Sequence, residues 1–495
     1  MKKWIVIGVS GLLLLLTGCS QKKEEIIWYI SDPEFYGVDS KAIKPYQEVE
    51  SKRFELFNER LEEMGISTKV TFKYMPRWYE ATEEDFEEDR IYEKELGFSA
   101  NHIKRLLEKD SDADIVGFQP LEYNQFLVLD SYLEKEENKK VFQTLPSASW
   151  ENSRINGEFY QIPKGNVSIG ETVYCFYRPF VEQYKIALDE AAVTKMSPKE
   201  VIEYLLPYFE KDRVIDDKYY LTSSGDLMYM NAFQHKYKQI ITNSYEWNIA
   251  VDLEKGQVVS ILDTPEMKEA LQTGNRIYRE NIDAHLERKR GEERPVFRIE
   301  TIPTIKELTK EQNEEWIRIP LENQRLQTSL GNGVLKESDE KELAVQVLAA
   351  TMYDEELSNL MIYGILDQDY ELKNGYAFYK ERKMVSSMGS FSGIGNNLLA
   401  YPNELEVKEK FEVTNEVVKK VKKRSYNNFT PLLSQELLQK LIKINKIYWE
   451  ISKEVGNSDI QDLDAYIEKQ KIKLKEAGVE EVLEELQSQL ENWKE

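Results

Sequence analysis

Cysteine and histidine are scarce in this sequence, and their scarcity removes several kinds of site. The chain has two cysteines, Cys19 and Cys175, and three histidines that lie far apart at positions 102, 235 and 285. A catalytic zinc ion usually requires clustered histidine or carboxylate ligands, and this pattern offers no recognisable set. We therefore expect no metal and no cofactor, and the sequence nominates no catalytic residue.

Basic residues are in the minority as well. The net charge is −23, so the chain lacks the basic surface that nucleic acid requires. Hydrophobic residues make up 41% of the chain, which is enough for real cores and argues against global disorder. The length of 495 residues suggests two or three domains, or one large protein of two lobes.

Long apolar runs are absent after the first residues of the chain. The run from Trp4 to Leu16, preceded by Lys2 and Lys3, is shorter than the roughly 20 helical residues that cross a bilayer. A short apolar run behind a positive start is typical of an export signal. It ends in Leu16-Thr17-Gly18-Cys19, which resembles a bacterial lipobox.

A lipobox implies cleavage before Cys19 and attachment of acyl chains such as palmitate through its sulfur. Residues 1–18 are then a lipoprotein signal peptide, and residues 19–25 are a short tether. Two acyl chains hold a protein firmly, because each buried methylene contributes about 0.8 kcal/mol. An ordinary signal peptide with a chance cysteine is the alternative. If Cys19 is lipidated, Cys175 has no partner for an internal disulfide, and its aromatic neighbours predict a buried, inert thiol.

The first third of the chain alternates between strand and helix patterns. Short apolar or alternating runs predict strands over residues 26–33, 67–75 and 113–119, and helical spacing predicts helices over 44–64 and 98–109. This order is typical of a parallel sheet with helices on its faces.

Helix starts and an apolar stripe organise the rest of the chain. Ser197, Thr264 and Ser338 stand where N-caps are expected, each just before a helical pattern. The last stretch, from Pro431 onwards, is helical and carries one apolar stripe that we expect to pack on its own domain. The stripe consists of Val479, Val482, Leu483, Leu486, Leu490 and Trp493.

Several stretches together resemble a known family. They are "DADIVGFQP", "INGEFYQIP", "LKESDEKELAVQVLAATMYDEELSNLMIYG" and "IKLKEAGVEEVLEELQSQLENW". These stretches resemble the extracellular solute-binding proteins of ABC importers, in the oligosaccharide-binding class. "YGILDQDYEL", "GNNLLAYP" and the helical ending are similar to the LipO-like branch of Gram-positive lipoproteins, which has a C-terminal domain of unknown function.

The resemblance implies an α/β fold of two lobes, the type II periplasmic-binding-protein-like fold, with a hinge between the lobes. It places the first lobe at residues 22–121 plus 315–360 and the second at 122–314 plus 361–440. Residues 441–495 are then C-terminal helices packed on the lobes. Ligand binds in the cleft, and the hinge closes the lobes over it.

Candidate ligand-binding residues follow from strand ends and from the resemblance. In open α/β sheets ligands bind beyond the carboxyl ends of strands, which nominates Tyr29, Ser31 and Asp32 after the first strand and Gln119 after the third. By analogy Glu171 and Tyr174 lie on a strand that enters the cleft. Asn332 is a further candidate, because its amide could hydrogen-bond a ligand. Trp150 and Trp247 are candidate stacking platforms for sugar rings. A core or surface position is the alternative for each.

The sequence departs from the family at one position. The family pattern places Trp-Gly before the helix that follows Ser338, and this chain has Leu330-Gly331. One aromatic stacking position is therefore missing, so the ligand can differ from that of better-known relatives.

The function implied by the resemblance is capture of an oligosaccharide or related small solute without catalysis. The expected partners are that ligand, ABC permease subunits and the membrane through the lipid anchor, with the protein a monomer at the outer face of the cytoplasmic membrane. Two alternatives remain at this stage. One is a surface enzyme acting on glycosides, which needs two carboxylates about 5 Å or 6.5–9.5 Å apart. The other is a sensor or adaptor that presents ligand without transport.

Replacing Cys19 tests the predicted anchor. We expect Cys19→Ala to abolish incorporation of labelled palmitate and to release the protein from the membrane fraction, because Cys19 is the cysteine of the lipobox. Cys175→Ala is the matched control and should keep both the label and the membrane association. Labelled, membrane-bound Cys19→Ala protein would refute the lipobox.

Overall fold

The computed structural model describes most of the chain with gaps. The described residues are 24–30, 43–75, 102–165, 167–215, 219–222, 236–240, 248–279, 294–303, 315–321, 325–327, 330–380, 394–404, 406–421, 426, 428–457 and 460–493. They form a mixed α/β structure, as the sequence predicts.

The described strands are short except for one. They are β1 (Glu24–Ile30), β2 (Thr68–Tyr74), β3 (Ile115–Gly117), β4 (Ser168–Tyr177), β5 (Tyr219–Tyr220), β6 (Tyr237–Gln239), β7 (Ile249–Asp252), β8 (Gln257–Ser260), β9 (Arg294–Pro295), β10 (Phe297–Pro303), β11 (Trp316–Pro320), β12 (Arg325–Gln327), β13 (Asn332–Val334), β14 (Tyr370–Lys373) and β15 (Tyr376–Tyr379).

Helices surround these strands. They are α1 (Ile43–Glu63), α2 (His102–Lys109), α3 (Asp130–Leu133), α4 (Ser147–Asn152), α5 (Arg178–Tyr184), α6 (Glu190–Val193), α7 (Pro198–Ile215), α8 (Pro265–Arg279), α9 (Lys341–Tyr353), α10 (Glu355–Tyr363), α11 (Lys410–Val418), α12 (Gln435–Asn457), α13 (Leu463–Glu476) and α14 (Val479–Asn492). Among the described residues, no helix is both long and apolar enough to cross a membrane.

The first lobe is built on a sheet with the strand order β13-β3-β1-β2. Strands β1 and β2 run parallel in register from Glu24 opposite Thr68 to Ile30 opposite Tyr74, β3 is parallel to β1, and β13 is antiparallel to β3. The fully buried Trp28 stacks on Phe72 with ring centroids 5.5 Å apart. This sheet is therefore fixed by apolar side chains and is covered by helices.

Helix α1 shows how the local pattern builds this lobe. Phe57 and Leu61, one helical turn apart, are fully buried and belong to the same core as Trp28. The helix is followed by Gly65, whose φ of +80° lies in the left-handed region that glycine adopts without steric penalty. The predicted helix over 44–64 and the strands on either side of it are confirmed.

The second lobe is built on β4, which lies between β10 and β11 and is antiparallel to both. Helices α5 and α7 cover one face of this sheet, where Phe180 and Phe209 pack in one core with Phe176 and Phe297.

The C-terminal helices complete a further core of the second lobe. The sheet β6-β7-β8 packs with α8 and with α12 to α14, and Leu441, Val482 and Leu486 are fully buried there. The predicted apolar stripe thus packs on its own domain, and the prediction is confirmed for its buried members.

The cores divide the chain differently from the predicted boundaries of residues 22–121 plus 315–360 and 122–314 plus 361–440. Apolar side chains between residues 126 and 169, such as Leu129 and Val141, pack in the first core with Trp28. Val418 also belongs to the first core, whereas Ile319 belongs to the second. The segment from 120 to 165 forms only short helices and has no sheet of its own. Its apolar side chains are buried in the core of the first lobe. The lobe changes at β4 instead of at residue 121.

Two of the three predicted N-caps are confirmed. Ser197 forms a capping box, since its backbone N–H donates to Glu200 Oε2 at 2.7 Å and its Oγ accepts from the Glu200 N–H at 3.3 Å. Thr264 Oγ1 accepts from the Met267 N–H at 3.2 Å. The prediction for Ser338 is wrong, because its hydroxyl donates to the buried Asp114 at 2.5 Å and α9 begins only at Lys341.

Truncating a side chain in the core of the C-terminal helices should destabilise the protein. We expect Leu441→Ala to lower the free energy of unfolding by about 2–5 kcal/mol, through lost burial and a residual cavity. Ile472→Ala is the control on the neighbouring helix. Because Ile472 is 60% exposed, its truncation should change stability by no more than about 0.5 kcal/mol. Urea unfolding followed by circular dichroism measures both, and equal effects would contradict this packing.

Candidate ligand-binding cleft

The carboxyl ends of β1, β2 and β3 meet at one edge of the first sheet, where ligands bind in open α/β folds. Gln119 follows β3 at this edge and is half-buried, and its carbonyl accepts from the Glu122 N–H at 3.0 Å. Ser31 and Asp32, the predicted contacts after β1, lie outside the described residues. So do Trp247 and the predicted lipidation site Cys19.

Asn332 lies beside Gln119 on the neighbouring strand. It is paired with Gly117 across the ladder, its carbonyl accepts from the Ile162 N–H at 3.0 Å, and its Oδ1 accepts from Trp28 Nε1 at 3.4 Å. The side chain is 8% exposed. The structure therefore brings two of the predicted contacts, Gln119 and Asn332, to the same sheet edge.

Two backbone segments approach very closely beside Asn332. The Gly331 N–H donates to Oε1 of the buried Gln161 at 2.6 Å, and a Cβ on Gly331 would lie 1.8 Å from the Ile162 carbonyl oxygen. Only glycine fits such an approach. Leu330, at the missing aromatic position, is 40% exposed.

Strand β4 carries the candidates from the second lobe on opposite faces, since side chains alternate along a strand. Tyr174 faces the helices: its ring packs on Phe297, and its hydroxyl donates to the Met196 carbonyl at 2.9 Å. Burial raises the pKa of that hydroxyl. Glu171, 8% exposed, lies on the other face, near the start of the strand.

Tyr29 and Trp150 are core residues of the first lobe. Tyr29 is 6% exposed, and its hydroxyl donates to Asp110 Oδ2 at 2.5 Å; burial and this carboxylate raise the pKa of Tyr29. Trp150 packs between Phe142 and Phe159, with centroids 4.9 Å and 5.5 Å away. Tyr29 lies one residue before the carboxyl end of β1, but both rings are buried in the core.

Lys164 stands where the chain leaves the first lobe for β4, and the sequence did not single it out. It is half-buried, and no described residue offers its Nζ a hydrogen bond or an ion pair. Burial lowers the pKa of its ammonium group. A single lysine in a loop belongs to no helix or strand pattern in the sequence. Only its burial in the fold identifies Lys164 as a candidate ligand contact.

Groups for catalysis by a metal or a thiolate are not assembled in the described part of the chain. No group of three His, Cys, Asp or Glu side chains there could hold a metal ion. Cys175 is fully buried, as predicted, and burial together with the Glu300 carboxylate raises its pKa to about 12.

A separate cavity of about 490 Å³ lies on the first lobe between α1 and α10. Arg60 and Glu63, near the end of α1, form part of its wall, and α1 leads directly into the start of β2. The cavity therefore lies towards the amino end of the sheet, away from the edge that carries Gln119.

Comparison with solved structures identifies this architecture. A solute-binding protein for N-glycan transport, NgtS from Streptococcus pneumoniae, matches 95% of this chain and 99% of its own, with a TM-score of 0.65 and 17% identity. The same protein in complex with Man1GlcNAc matches with a TM-score of 0.61 and 16% identity, over 95% and 99% of the two chains. An HMO-binding, ABC-transporter-associated solute-binding protein from Bifidobacterium longum infantis matches with a TM-score of 0.58 and 12% identity, over 96% and 100%.

The chain has the solute-binding protein fold. The two-lobed α/β fold expected from the resemblance is confirmed, and these structural neighbours are binding proteins. A family model described as a domain of unknown function, DUF3502, matches residues 435–495, a range that includes α12 to α14. This match confirms the expected C-terminal domain. No curated protein sequence matches the chain.

The backbone approach at Gly331 gives a test of this site. We expect Gly331→Ala to lower the free energy of unfolding by about 1–3 kcal/mol, because the added methyl group forces two backbone segments apart. Gly117→Ala, on the neighbouring strand, has open space around its Cβ and should be tolerated. Thermal unfolding of both variants measures the difference, and equal stability would contradict the close approach.

Proposed function

We propose that this protein is the lipid-anchored extracellular substrate-binding component of an ABC importer. It captures an oligosaccharide or a related small solute in the cleft between its lobes and delivers it to a membrane permease, and it performs no chemistry. The observation that carries the proposal is the fold, shared with transport proteins over nearly the whole length of both chains.

The polar groups at the lobe junction support this function. Gln119 and Asn332 offer amides from the first lobe, and Glu171 offers a carboxylate from the second. Such groups hydrogen-bond the hydroxyls of sugars, and aromatic faces stack on the rings. Ligand favours the closed state because only that state makes the contacts of both lobes.

The start of β1 supports attachment through Cys19 at the outer face of the cytoplasmic membrane. Strand β1 begins at Glu24, five residues after Cys19, and runs towards the edge that carries the candidate cleft. Its seven residues span about 23 Å, at about 3.3 Å per residue. A tether at this end holds the amino edge of the sheet near the bilayer and leaves the opposite edge open to solute.

A thermal-shift screen over neutral and charged oligosaccharides, amino acids and peptides tests the proposal. A true ligand at 100 times its dissociation constant should add about 2.7 kcal/mol to stability. Glu171→Gln and Asn332→Ala should each weaken binding about tenfold or more, since one lost hydrogen bond near 1.4 kcal/mol changes affinity tenfold.

The exposed Glu210→Gln on α7 is the control for these variants and should bind normally. Turnover of chromogenic glycosides by the wild-type protein would favour the enzyme alternative. A screen in which peptides bind and no oligosaccharide does would overturn the proposed ligand class.

A further inference from the structure

The face of the β4 sheet that is turned away from α5 and α7 carries charged and aromatic side chains. Cys175 lies at its centre, directly opposite Arg298 on β10 and Arg318 on β11. Glu300 is two residues after Arg298 and lies on the same face of β10. Trp316 is two residues before Arg318 and lies on the same face of β11. We call these four side chains, Arg298, Glu300, Trp316 and Arg318, the arginine face.

Both arginines converge on one carboxylate. A terminal nitrogen of Arg298 lies 2.7 Å from Glu300 Oε1, and the Cys175 thiol donates to Glu300 Oε2 at 3.2 Å. The nearest nitrogen of Arg318 is 3.9 Å from that same Oε2, which is an ion-pair distance but too long for a hydrogen bond. Glu300 therefore forms its short contact with Arg298, and among the described residues the guanidinium of Arg318 has no hydrogen-bond acceptor.

The charges of the arginine face do not balance. Two cations share one anion, and no described residue accepts a hydrogen bond from Arg318. The buried Nε atoms of both arginines likewise lack an acceptor among the described residues. A ladder that served only to hold strands together would pair its charges, because an unsatisfied buried donor costs stability. A second cation on one shared carboxylate is notable in a chain whose net charge is −23.

Solvent reaches the arginine face. The side chains of Arg298 and Arg318 are 31% and 28% exposed. The Arg298 guanidinium lies 3.9 Å from the centre of the Trp316 ring, so this ring is occupied by the arginine and holds it in place. Arg318, on the neighbouring strand, keeps terminal donors for which no described residue is an acceptor, and a planar guanidinium matches the two oxygens of a carboxylate.

We propose that the arginine face binds the carboxylate of an acidic sugar unit, with Arg318 as the principal contact and Arg298 beside it. This inference rests on the proposed function and names its substrate class: an oligosaccharide that contains a uronate or a sialate. Lys164, for which no described residue is a partner, adds positive charge where the chain enters β4.

Matched pairs of neutral and acidic sugars test this substrate class by calorimetry. The pairs are a galacturonate trimer with the neutral galactose trimer, and sialyllactose with lactose, so that the two sources of the carboxylate are separated. We expect at least tenfold tighter binding of the acidic member in one pair, and a preference that shrinks as salt is raised because charges are screened.

Two substitutions should change this preference in opposite directions. Arg318→Gln should weaken binding of the acidic sugar at least tenfold and leave the neutral sugar unchanged. Glu300→Gln removes the competing carboxylate and should strengthen binding of the acidic sugar. Arg276→Gln on α8, an exposed arginine of the same lobe, is the control and should have no effect.

The outcomes separate this inference from the proposed function. Equal binding of neutral and acidic sugars, or a folded Arg318→Gln variant with unchanged preference, overturns the acidic class and leaves sugar capture intact. Failure of every oligosaccharide to bind overturns the proposed function itself. If Arg318→Gln does not fold, Glu300→Gln provides the test. Stronger binding of the acidic sugar by this variant supports the acidic class, and unchanged or weaker binding overturns it.

Discussion

The structure depends on β4, a single strand whose two ends are buried in different cores. Ile169, near its start, packs in the core of the first lobe, and Phe176, near its end, packs in the core of the second. Hydrogen bonds to β12, β10 and β11 hold the strand along its length. Relative motion of the lobes therefore bends β4 and the strands paired with it, and neither core slides over the other. Bending at a few connecting residues is how hinged proteins close.

A second constraint is the crowding of backbones between β13 and the segment around Ile162. Gly331 and Gly333 allow β13 to lie against the segment around Ile162, where a Cβ at either position would overlap a backbone carbonyl oxygen. The same ladder positions Asn332 and, two residues beyond Gly117, the side chain of Gln119. The polar edge of the first lobe is thus a consequence of close backbone packing.

Local patterns predicted the elements well and long-range contacts poorly. The spacing of Phe57 and Leu61 is enough to predict α1, and Ser197 with Glu200 is enough to predict a capping box. The apolar character of Leu129 and Val141 indicates burial but does not say in which core, so the boundary between the lobes was misplaced. Ser338 has the sequence of a cap, yet its hydroxyl donates to Asp114, 224 residues away. No sequence pattern singles out Arg318 or Lys164, because what distinguishes them is their surroundings in the folded chain.

The thiol of Cys175 turns the arginine face into a chemical reporter. The side chain is fully buried beneath the two arginines, and the sequence has only one other cysteine, at position 19. If Cys19 is acylated as proposed, a thiol-specific reagent can label the chain only when this sheet opens. The labelling rate therefore measures how often the second lobe opens locally around Cys175, and no engineered probe is needed.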